Sequence, residues 1–178
     1  MPETSSQFQP TPTNLFLTFS RDKLLKQYWP RLRACVEPLS DEQIWWRPNP
    51  SSNSIGNLLL HLSGNVRQWI VDAFNRQEDR RDRPAEFAAT GHLSGKELLA
   101  RLDSTLMAAQ SVLDRLAEAD LLAPMEIQGY SVHGLDAIYQ VVEHFGLHYG
   151  QIAYIAKMLR DQDLGFYKEL NRTGKANG

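Results

Sequence analysis

A single cysteine, Cys35, stands in the 178 residues, which excludes an internal disulfide framework and any thiolate zinc ribbon. Its neighbours Leu32 and Val36 mark it as a small buried filler rather than a reactive thiol. Positive charge is not in excess either. The formal net charge is −2 and the lysines and arginines are scattered, so no electrostatic footprint for nucleic acid exists. The one basic run, Arg80, Arg81 and Arg83, is interrupted by Asp79 and Asp82 and reads as a solvated helix end or loop. No apolar run is long enough for a membrane span, and no basic segment followed by an apolar stretch opens the chain. The expectation is a soluble, cytoplasmic protein without a membrane partner. Internal repeats, a glycine-rich phosphate loop and segments that alternate well enough for a sheet are also missing.

What is present is helical periodicity, in a chain whose 42% apolar content suffices for a proper core. Residues 1–12 read as a flexible Pro-, Ser-, Thr- and Gln-rich arm, residues 13–165 as one domain, and residues 166–178 as a polar tail. Phe16, Phe19, Leu24, Tyr28, Leu32 and Val36 predict a first helix over 13–36, kinked or broken by Pro30. An aromatic-rich connection holding Trp45 and Trp46 follows. Asn53 or Ser54 caps a second helix that ends near Arg76. A charged loop spans 80–91. Ser94 and Glu97 form a capping-box pattern before a third helix that reaches about Ala119. Residues 124–134 read as a turn-rich excursion with a short extended piece at 125–127, and a fourth helix runs from about Leu135 to Arg160. The fold class is all-α: a four-helix bundle with extra loops and room for a short extra helix.

The fourth helix carries the chemistry. At 100° per residue, His144 shares a direction with Ala137, Gln140, His148, Gln151 and Ile155, all within about 40°. The two histidines therefore sit one turn apart on an apolar face, side by side as two ligands of one metal must be. Burying two imidazoles costs free energy unless each is satisfied, and a metal satisfies both. On the second helix, Asn57, His61, Asn65, Gln68 and Asp72 form one lane, uncharged until Asp72, that reads as an interior polar strip. His61 is the candidate third ligand, although a lone apolar-face histidine also serves as a hydrogen-bonded core group. Asn65, Gln140 and Gln151 are either partners that orient the ligands or plain polar neighbours. His92 and His133 fall in loop or turn sequence and read as surface residues. The H-E-x-x-H pattern of zinc proteases is missing, because Phe145 stands where its glutamate would.

Two segments carry a resemblance. Ser54-Ile55-Gly56-Asn57-Leu58-Leu59-Leu60-His61-Leu62 resembles the second helix of the DinB-like, or YfiT-like, metalloenzyme family. His144-Phe145-Gly146-Leu147-His148-Tyr149-Gly150-Gln151-Ile152 resembles that family's H-x-x-x-H-x-G-Q pattern, and Trp46-Arg47-Pro48 is similar to its Trp-x-Pro feature. The resemblance implies a four-helix bundle and a divalent ion, zinc or nickel, on His61, His144 and His148. It also implies a homodimer and kinship with bacillithiol S-transferases and other thiol-dependent enzymes.

Three neutral imidazoles leave a coordination position open, which is the catalytic rather than the structural count. The expected function is a metal-dependent transferase that acts through a low-molecular-weight thiol on an electrophilic small molecule. The alternatives are a metal-dependent hydrolase and a non-enzymatic metal-binding bundle. No side chain beyond the metal centre is assigned as catalytic. Trp45, Trp46, Trp69 and Tyr149 serve either as pocket walls or as core.

Overall fold

A computed structural model describes residues 10–168. The chain is mostly helical with one small two-stranded sheet. Thr11 caps α1 (Pro12–Asp22), its side chain accepting from the Asn14 amide. A π-helical segment (Lys23–Tyr28) leads into α2 (Trp29–Val36). Pro30 does not break this path. It stands just after the π segment, where the Trp29 N–H already reaches back to the Leu24 carbonyl in the wider i→i−5 register, and the helical path continues past it.

Ser40 caps the short α3 (Asp41–Trp45). Ser54 caps α4 (Ile55–Val66) in a reciprocal box with Asn57, and the helical path continues through a π segment (Arg67–Asp72) into α5 (Ala73–Asn75). Arg76, at φ 53°, ends it in the left-handed region. The charged segment after it is not only loop, because Asp82 caps a one-turn-plus helix, α6 (Arg83–Ala88).

The predicted capping box at Ser94 and Glu97 starts α7 (Gly95–Leu113). That helix stops earlier than its apolar spacing suggests, and a separate α8 (Glu118–Leu122) follows. The absence of a sheet in the sequence reading is corrected by a hairpin. β1 (Pro124–Ile127) pairs antiparallel with β2 (Tyr130–His133), Ile127 facing Tyr130 across a tight turn. Gln128 and Gly129 have φ of 54° and 78°, the left-handed pair that a two-residue hairpin turn demands. Strands of four residues are too short to show alternation. The longest helix, α9 (Gly134–Arg160), closes the fold at Asp161, φ 49°.

α4 is the central element and packs against α6, α7 and α9. Its lane of polar residues is interior, as its composition suggests: Asn57, His61, Asn65, Gln68 and Asp72 are all buried. α9 lays Ala137, Ile138, Val141, Phe145, Ile152 and Ala156 into the core, where Phe145 stacks on Tyr28 at 6.0 Å. The expected arm lies largely outside the described residues, and Pro12 is already helical. Of the expected polar tail, Phe166 is half-buried beside Tyr149, at 6.4 Å between ring centroids, while residues 169–178 lie outside the described residues.

Candidate metal centre

His61 enters the site from the middle of α4 and His144 and His148 from adjacent turns of α9. One nitrogen of each ring lies within 4.8 Å of the other two, and His61 Nε2 sits 2.9 Å from His144 Nε2. The ring centroids of His144 and His148 are 4.4 Å apart, and those of His61 and His148 are 5.0 Å apart. His61 is buried and the other two are half-buried. Three imidazoles crowded this closely, with few other polar partners at those nitrogens, fit the donor set of a borderline cation such as zinc.

Two of the three rings have a partner at the outer nitrogen. His148 Nδ1 lies 2.7 Å from Gln151 Oε1, so it carries the proton and leaves Nε2 free. His61 Nδ1 lies 2.9 Å from Glu86 Oε2. The protonation of His144 and His148 favours a metal. Burial, followed by the charges of His148, His61 and Arg81, pushes His144 down to about 4. Burial lowers His148 as well, against the opposing pull of its hydrogen bond to Gln151.

Of the polar residues flagged beside the histidines, Gln151 contacts a ligand ring directly. Asn65 and Gln140 instead line a cavity of about 980 Å³ that His61 and His144 share. Trp69, Tyr130 and Tyr139 line it too, so of the four aromatics named from sequence only Trp69 belongs to it. Trp45 donates its indole N–H to the Leu93 carbonyl at 2.8 Å, and Tyr149 packs on Tyr28. His92 and His133 are exposed, as expected.

The basic run is the main correction. Arg80 and Arg83 are exposed, but the Arg81 side chain is only 6% exposed. Arg81 donates to both oxygens of Glu86, Nε to Oε1 at 2.7 Å and Nη2 to Oε2 at 2.9 Å. Burial alone would raise the Glu86 carboxyl, but hydrogen bonds from Arg81 and His61 outweigh it and hold the group below the usual glutamate value. Glu86 and Arg81 were missed because an R-R-D-R-P-A-E stretch has the composition of a solvated loop. The only signal was the uncharged strip opposite it on α4.

The family described as "Protein of unknown function (DUF1572)" matches residues 13–169. No curated protein matches the chain. Among solved structures, a conserved protein from Enterococcus faecalis is similar, with a TM-score of 0.69 at 16% identity over 82% of this chain and 97% of that one. At that identity the likeness concerns the fold.

Proposed function

The chain belongs to the DUF1572 family, and from that premise and the three convergent histidines we propose a divalent-metal-binding protein that acts as a thiol-dependent transferase. The carrying observation is the convergence of His61, His144 and His148, drawn from two helices, to within 4.8 Å beside a cavity. Their sequence context resembles the DinB-like metalloenzymes, and the long helical runs agree with that family's four-helix plan. Zinc or nickel bound there would supply an electrophilic pole that favours the thiolate form of a low-molecular-weight thiol.

The chain's own residues do the rest. His144 and His148 stay neutral at neutral pH and present lone pairs. Gln151 holds His148 in the tautomer with Nε2 free. Trp69, Tyr130 and Tyr139 give the cavity an aromatic wall for the electrophile, with Arg83 among its lining residues. The reading includes a homodimer, supported by Leu135, Tyr139, Leu147, Tyr154 and Met158, which α9 leaves exposed.

Elemental analysis of the purified protein, with a conjugation assay using 1-chloro-2,4-dinitrobenzene and cysteine, tests the proposal. We expect about one metal per chain in the wild type, loss of the metal in His148→Ala, and conjugation that disappears with it. Unchanged turnover in His148→Ala would refute the transferase. Ester hydrolysis without any thiol requirement would favour a hydrolase instead.

A further inference from the structure

The polar strip that runs along α4 into the π segment has more members than the histidine site uses, and two of them share a target. Asn57 and Gln68 lie on either side of His61 along the helix, and both reach the segment 79–89. Asn57 Nδ2 donates to the carbonyls of Glu86 at 2.9 Å, Phe87 at 3.3 Å and Ala89 at 3.0 Å. Gln68 Oε1 accepts from Arg81 Nη1 at 2.9 Å, and Gln68 Nε2 donates to Asp79. Arg47, from the Trp-Arg-Pro connection, adds bonds from Nη2 to Asn57 Oδ1 at 2.8 Å and to the Phe87 carbonyl at 2.9 Å. A segment that reads as solvated loop is thus tied down at both ends, directly over His61.

The middle of this strap faces the ring. Phe87 packs on His61 with centroids 4.7 Å apart, and Glu86 reaches Nδ1. Room for the carboxylate comes from Gly64, one turn beyond His61. A Cβ there would collide with Glu86 Oε1 and stand 2.8 Å from Arg81 Nε. Backbone anchors, a glycine-sized seat and a buried ion pair converge on one ring nitrogen.

We infer that Glu86 is the positioning residue of the candidate metal centre: held by Arg81, it accepts a hydrogen bond from His61 Nδ1–H and so leaves Nε2 as the ligand atom. The inference rests on the metal reading above. Its chemistry lies in which nitrogen of the ring is turned toward the carboxylate. Arg81 Nη2 also stands 3.0 Å from His61 Nδ1. With the carboxylate in place, the two N–H bonds of Nη2 have Glu86 Oε2 at 2.9 Å and the His61 carbonyl at 3.4 Å as acceptors, and Nδ1 keeps its proton. Without it, the guanidinium would face the ring and favour a lone pair on Nδ1. The ring proton would then sit on Nε2, the atom that must coordinate.

The first arm of the experiment reads the wild-type ring itself. In long-range proton–nitrogen spectra of the metal-free wild type, with the His61 signals assigned by their loss in His61→Gln, we expect a protonated Nδ1 and a bare Nε2. In Glu86→Gln the proton should shift wholly or partly to Nε2, and zinc affinity, measured by competition with a chelator, should fall about 10- to 100-fold. Gly64→Ala, which keeps both charged groups but displaces the carboxylate, should lower affinity in the same direction. A wild-type ring with its proton on Nε2 would overturn the inference. So would full zinc affinity in both variants, while leaving the metal reading intact. A wild type that binds no zinc would end the metal reading, and this inference with it.

Discussion

With a pKa near 4, set chiefly by burial and then by the charges of His148, His61 and Arg81, the His144 ring is uncharged in neutral solution. In the unfolded chain the same ring titrates near 6.5, as a free histidine does. Between these values the unfolded state binds a proton that the folded state refuses. The stability linked to His144 is therefore fully present above about pH 6.5 and is lost as pH falls toward 4. Thermal melts of the metal-free protein should show a loss of about 2 kcal/mol between pH 7 and 4.5, allowing for solvent around a half-buried ring. His144→Gln should flatten that part of the profile. Cys35 makes the opposite case at a single residue. Burial pushes its thiol up to about 11, so at pH 8 a disulfide exchange reagent should label none of the folded protein and one thiol per chain in denaturant. Labelling of the folded chain would contradict the filler role that its sequence neighbours indicate.

Among the elements, α4 shows best how capping and site-building share residues. Ser54 is an ordinary N-cap, accepting from the Asn57 amide, and Ser54→Ala should cost about 1 kcal/mol in urea denaturation. Asn57 returns that bond and also satisfies three strap carbonyls from a fully buried position. Asn57→Ala should cost more, about 2–4 kcal/mol, because it removes the return bond to the Ser54 amide and leaves carbonyls of 79–89 without a partner. Similar losses for the two variants would mean the strap holds without this anchor. The Ser94 cap was legible because a capping box is a local code of two residues three apart, whereas for α4 the sequence left Asn53 and Ser54 open and the structure selects Ser54. The α6 helix and the end of α7 at Leu113 were not legible, and of the 124–133 hairpin only the extended piece at 125–127 was. α6 spans six residues and each strand four, too short for periodicity to register, and α6 packs against α4 and β2 against α9.

For the whole molecule, any cation that binds only the folded site must stabilise it in proportion to its saturation. At about 100 times the dissociation constant the gain is about 2.7 kcal/mol. Zinc should raise the melting temperature of the wild type, a chelator should reverse the rise, and His61→Ala should show neither effect. An equal shift in His61→Ala would mean that zinc binds elsewhere. Among the described residues no helix is long and apolar enough to cross a membrane, in line with the hydropathy of the chain. The helical character, the caps and the three candidate ligands were decided by the sequence itself, because helix periodicity and the i, i+4 spacing of His144 and His148 are consequences of neighbours along the chain. Tertiary structure alone decided that His61 meets them across 83 residues, and that Arg81 and Glu86 leave water to stand behind it. A charged pair is buried only where a particular partner and a particular void, here His61 and the missing side chain of Gly64, make up for its lost hydration. Neither can be read from the residues beside it.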